Sequence, residues 1–176
     1  MTFIEFPVWQ PGMIITEARA NSAALVGRTV FRATRDTSQS IPSTGSGNPD
    51  GANALSWESI PLDDLGGWSS GSPTRYTCQL AGWYKINAKI SFNATATPGT
   101  ARALGIFGNG TLLPGGHFRS AIAATNVVHT EDGYLTTLLA VGDYIQLAPG
   151  HSTGSNLDTA TGGTRPTLEI EFARPA

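Results

Sequence analysis

Gly82-Trp83-Tyr84-Lys85-Ile86-Asn87-Ala88-Lys89-Ile90-Ser91-Phe92 is the stretch that decides the fold. Tyr84, Ile86, Ala88, Ile90 and Phe92 share one side of a two-residue period, and Lys85, Asn87, Lys89 and Ser91 share the other. A strand with one dry and one wet face belongs to an antiparallel sheet packed on a core. Further landmarks follow it: an Asn109-Gly110 pair suited to a tight hairpin turn, the run Val141-Gly142-Asp143-Tyr144-Ile145-Gln146-Leu147, and a closing Leu168-Glu169-Ile170-Glu171-Phe172.

Outward from this strand, residues 29–33, 55–60, 75–78, 102–107, 120–129, 134–139, 144–147 and 168–172 also read as strands. Gly, Pro and Asn separate them at the spacing of a β-sandwich or jelly roll. Residues 40–53, 63–73 and 150–166 lack periodicity and read as loops, where contacts with partners are expected. Before all of these comes an opening segment of different character. Phe3, Ile4, Phe6, Val8 and Trp9 are apolar and Pro-punctuated, and Thr16 is placed to cap a short helix over 17–25 that ends at Gly27. The chain therefore divides into an arm, 1–27, and a sandwich domain, 28–176. The arm is too short to own a core, so it packs either on its own domain or on another protein.

Composition narrows the functional classes. Charged residues are 14% of the 176, against roughly 25% in an average soluble domain, and Lys85 and Lys89 are the only lysines. Such a surface suits a protein covered by neighbours. A net charge of −2 argues against a nucleic-acid binder, which needs a dense basic face; Arg28, Arg32 and Arg35, with Arg19, read as a solvated or partner-facing patch. The single Cys78 rules out an intrachain disulfide and reads as a small buried hydrophobe. The opening lacks a secretion pattern and no apolar run is long enough to span a bilayer, which leads to the expectation of a protein made in a reducing cytoplasm without membrane insertion.

Chemistry is sparsely signalled, and no cofactor is expected. His117, His129 and His151 have no second histidine or cysteine at zinc-ligand spacing. Asp63-Asp64 and Glu131-Asp132 read first as turn carboxylates and second as a loop Ca²⁺ site. A Ser-His-Asp relay would converge only in three dimensions, and Glu58 with Glu131 would make a glycosidase pair only at the right separation. Gly105-Ile106-Phe107-Gly108-Asn109-Gly110 lacks the helix and Lys-Ser/Thr of a phosphate loop. Trp57, Trp68, Trp83 and Tyr144 would serve either packing or sugar stacking, with core or interface the first reading for Trp57 and Trp83.

In their order, these landmarks resemble the C1q and tumour-necrosis-factor-like jelly rolls. The pieces are Arg32-Ala33-Thr34, Gln39-Ser40-Ile41-Pro42, Trp57, Ala81-Gly82-Trp83-Tyr84, Phe92, Asn109-Gly110, Val141-Gly142-Asp143 and Leu168-Glu169-Ile170. The resemblance implies a homotrimer with one sheet of each copy around a threefold axis. It points to Tyr134, Thr136 and Leu138 as the interface, or to their alternates Leu135, Thr137 and Leu139; the aromatic favours the first set. The arm in turn is similar to the opening of small structural proteins of tailed bacteriophages, through Trp9-Gln10-Pro11-Gly12-Met13-Ile14-Ile15-Thr16 and Asn21. Glu17 stands where those proteins carry Ala, and Ala20 where they carry an aliphatic.

Together these resemblances imply a non-enzymatic virion protein that decorates the capsid. Phe3, Phe6, Trp9, Ile14 and Ile15 would anchor it to a major capsid or other virion protein. The alternative is a tail-tip or fibre-head module gripping a host-surface glycan.

Overall fold

The computed structural model describes residues 24–122 and 124–176. Among these described residues eleven strands follow one another: β1 (Arg28–Thr34), β2 (Ser40–Ile41), β3 (Ser59–Asp63), β4 (Arg75–Thr77), β5 (Gly82–Phe92), β6 (Ala101–Gly108), β7 (Thr111–Ala121), β8 (His129–Leu139), β9 (Tyr144–His151), β10 (Leu157–Asp158) and β11 (Thr167–Pro175). Every recorded pairing is antiparallel. One sheet has the order β3-β1-β11-β5-β8 and faces a second of order β4-β9-β6-β7, while β2 and β10 form a small two-stranded ribbon.

The alternation of β5 sets the layering. Tyr84, Ile86, Ile90 and Phe92 are fully buried and meet Ile170, Phe172, Leu104, Ile106 and Leu147 between the sheets. Burying one such side chain stabilises by about 1.5–3 kcal/mol. Aromatic pairs tile the interior: Phe31 and Tyr76 at 4.7 Å between ring centres, and Tyr84 edge-on to Phe172 at 5.3 Å. Cys78 is buried among them, and that burial pushes its thiol up to about 12, so it is inert at neutral pH. Trp57 is core, as expected.

The hairpin between β6 and β7 turns on Asn109 (φ 51°) and Gly110 (φ 77°), both left-handed as a type I′ turn requires. β7 itself departs from the sequence reading, which placed a strand over 120–129 instead. Pro114, Gly115 and Gly116 interrupt its pattern, yet β7 is the outer strand of its sheet, where a missing N–H costs no ladder bond. The strand expected at 55–60 begins only at Ser59.

Residues 44–53 also differ from a free loop: they lie over the outside of the four-stranded sheet. Glycines make this approach possible. A Cβ on Gly105 would stand 2.7 Å from Pro49, and one on Gly150 would stand 2.4 Å from the Asn48 backbone. Arg119 of β7 donates to Asn48 Oδ1 at 3.2 Å and to the Ser46 carbonyl at 2.9 Å, fastening the cover. As a result β6 is buried at every position. The arm positions Phe3, Phe6, Trp9, Ile14 and Ile15, and the expected helix as far as residue 23, lie outside the described residues.

Candidate functional site

The outer face of the five-stranded sheet is organised in rows by the strand register. Arg174, Trp83 and Leu138 form one row, and Thr29, Glu171, Lys85 and Thr136 the next. Arg32, Glu169, Asn87 and Tyr134 follow, then Thr34, Thr167, Lys89 and Asp132. Cross-strand neighbours on one face are the interacting unit of a sheet, and the rows are stitched accordingly. Arg32 meets Glu169 at 3.0 Å and Lys85 meets Glu171 at 2.7 Å. The Glu171 carboxylate holds the Lys85 ammonium above the ordinary lysine range. The Arg174 guanidinium sits 5.1 Å from the centre of the Trp83 ring. These exposed pairs order side chains more than they stabilise the fold.

Tyr134, Thr136 and Leu138 all point outward from β8, with Tyr134 52% and Leu138 51% exposed and the Thr136 hydroxyl donating to the Tyr134 oxygen at 3.0 Å. Their alternates Leu135 and Leu139 turn inward, Leu139 into the core itself. With Val141, 64% exposed beyond the end of β8, the outward set makes an apolar margin along the open edge of this sheet. Next to it, an open depression of about 470 Å³ lies between Arg32, Asn87, Lys89, Asp132, Tyr134 and Glu169. Two other arginines of the predicted patch are also paired: Arg28 with Asp64 at 3.9 Å and Arg35 with Glu58 at 3.3 Å.

Between the sheets, at the opposite end from Leu138, lies a polar cluster that sequence reasoning did not assemble. His151, Arg102 and Ser120 are register neighbours across β9, β6 and β7, and Arg102 and His151 are almost fully buried. From β8, Glu131 and His129 reach into the same space. His129 Nε2 stands 2.8 Å from Ser120 Oγ and 2.6 Å from Glu131 Oε1, and Ser120 also bonds that carboxylate oxygen. A Ser-His-acid relay uses the two imidazole nitrogens for different partners. Here serine and carboxylate compete for one nitrogen, so the trio is a closed hydrogen-bonded knot.

Other candidates are dispersed. The Asp63 carboxylate accepts from the Gly67 and Trp68 amides at 2.9 and 3.0 Å, which makes it a turn cap, while Asp64 turns away toward Arg28. Glu58 accepts from the Asp36 and Thr37 amides and the Thr37 hydroxyl, far in sequence from the Glu131 knot. The side chains of Glu131 and Asp132 lie on opposite faces of β8. Among the described residues, no three His, Cys, Asp or Glu side chains are grouped to hold a metal ion. Trp68 Nε1 donates to the Pro73 carbonyl at 3.2 Å, and Tyr144 lies under Arg75 at 4.4 Å.

No protein-family model matches the sequence, and no curated protein matches it. Solved structures do match the fold. The globular domain of the zebrafish complement 1qA protein aligns with a TM-score of 0.57 at 12% identity, covering 83% of this chain and 98% of that one. Eiger TNF from S. frugiperda aligns at 0.54 and 10%, covering 84% and 94%. Murine APRIL at pH 5.0 aligns at 0.57 and 12%, covering 82% and 98%. The strand order and these alignments together make the fold an antiparallel jelly roll of the C1q/TNF-like kind.

Proposed function

We propose that this chain is a non-enzymatic, self-associating module in which three copies pack the outer faces of their five-stranded sheets around a common axis. The observation that carries this reading is the β8 margin. Tyr134 and Leu138 stand half exposed beside Val141 on a face where Arg32, Lys85 and Arg174 are each engaged within the chain, and aromatic and aliphatic anchors of this kind dominate association energetics. A stable contact would bury about 1,200–2,000 Å² in total.

The finer part of the proposal rests on the arm sequence. Phe3, Phe6, Trp9, Ile14 and Ile15 would insert into grooves of a tailed-phage shell, and three linked arms would multiply a weak single attachment. The chain would then decorate the virion. The glycan-gripping alternative draws on loop aromatics, but Trp57 is core and Trp68 and Trp83 are engaged by Pro73 and Arg174.

Light scattering on the full chain is the first test, and a mass of three chains is the expected result. Leu138→Asp should shift the mass toward one chain with an unchanged circular dichroism spectrum. A monomeric wild type overturns the trimer. For the virion role, Phe6→Asp with Trp9→Asp in the full chain should abolish binding to shells that lack the protein while leaving the trimer intact. Undiminished binding overturns the arm's role.

A further inference from the structure

Two charges on the outer face stand apart from the rest. Lys89 and Asp132 are register partners on β5 and β8, opposite in sign and both on the rim of the same depression. Directly opposed charges of opposite sign ordinarily pair across strands, and on this face Lys85 and Arg32 have each found a carboxylate. Among the described residues neither Lys89 nor Asp132 makes an ion pair or a side-chain hydrogen bond.

We propose that Lys89 of one copy pairs with Asp132 of the next, and that this contact fixes how the copies meet. The inference rests on the trimer reading above and adds the polar contact that sets its register. Symmetry supplies the argument. A rotation axis running along the strands carries a residue around the ring but not up or down it. Groups that touch across a closed cyclic interface therefore come from nearly the same height. Lys89 and Asp132 share a height because they are register partners.

Each interface of the ring is heterologous, so one copy offers the lysine and its neighbour the aspartate, and no pair is left over. The occupant of the depression is thus a second copy of this chain, and charge complementarity selects it. Tyr134, one row away, packs at the same seam.

Charge reversal in the full chain at low ionic strength tests this. Lys89→Glu places two carboxylates at the seam and Asp132→Lys places two ammonium groups there. Each variant alone should raise the concentration for half-dissociation at least tenfold, with unchanged circular dichroism. Equal mixing of the two should restore association in part, because a mixed ring of three keeps one like-charged interface and gains two of opposite charge. Native mass spectrometry should show mixed trimers above the three-to-one excess over homotypic ones that random assortment gives. Lys89→Met, which removes charge without reversing it, should weaken association less than Lys89→Glu. If the wild type is trimeric and either reversed variant keeps its association, or mixing forms no mixed species, the pairing is overturned while the trimer stands. If the wild type is monomeric, both fall.

Discussion

Asn109 clasps Asp143 across two turns: its Nδ2 donates to Asp143 Oδ1 at 2.8 Å, and its Oδ1 accepts from the Tyr144 amide at 3.0 Å. Asp143 Oδ2 in turn accepts from the Ala140 amide at 2.7 Å, closing the turn before β9. Asn109 is one of only two non-glycine residues at positive φ among those described. Asn109→Ala loses the clasp and keeps the strained backbone. It should cost about 2 kcal/mol in urea unfolding, and Asn109→Gly, which relieves the strain, should cost less.

The same clasp makes the fold acid-sensitive. The Asn109 amide, then the Ala140 N–H, hold the Asp143 carboxyl below the ordinary carboxylate range, and the Thr37 hydroxyl and amide with Arg35 do so for Glu58. Their stabilisation is complete above the unfolded-state carboxylate value and disappears as pH falls through the lower folded-state value. Asp143→Asn should flatten part of the loss of denaturation midpoint below about pH 4.

His151 acts at milder pH. Burial, with the neighbouring Arg102, lowers its affinity for a proton, opposed by its bond to the Ile41 carbonyl at 2.8 Å. The imidazole is neutral in the fold, with Nε2–H donating to that carbonyl. A base held below its ordinary value of 6.5 leaves stability undiminished above that pH and erodes it as pH falls below. Urea midpoints at pH 7.5 and 5.5 should differ in the wild type and converge in His151→Gln.

Tyr76 carries a hydroxyl that is buried without a hydrogen-bond partner. Leaving such a group unmade costs about 1–3 kcal/mol, and its ring already packs on Phe31. Tyr76→Phe should therefore preserve or raise the melting temperature, and a clear drop would mean that the hydroxyl has a partner.

Glycine substitutions should sort by what lies opposite. On Gly150 a Cβ meets the Asn48 backbone at 2.4 Å, which no side-chain rotation relieves, whereas Gly71 faces open space. Gly150→Ala should cost about 3 kcal/mol and Gly71→Ala nearly nothing, measured side by side in denaturant.

What could be read from the sequence followed periodicity. β5 emerges at its edges because one of its faces is dry and the other wet, and Asn109-Gly110 declares its turn by chemistry. β7 stayed hidden because an outer strand tolerates Pro114 and the glycines after it. The run at 120–129 is as apolar as a strand, yet Asn126 turns left-handed within it (φ 57°). The outward set on β8 follows from alternation once the strand is recognised. The knot of Ser120, His129 and Glu131 does not, because β7 and β8, from different sheets, must come together before those groups meet.

The segment laid over Gly105 and Gly150 makes β6 and the last half of β9 dry on both sides. A protease cut near Pro49 would therefore do more than open a turn. It would bare a greasy patch flanked by an outer strand, and the nicked molecule would clump before it melted.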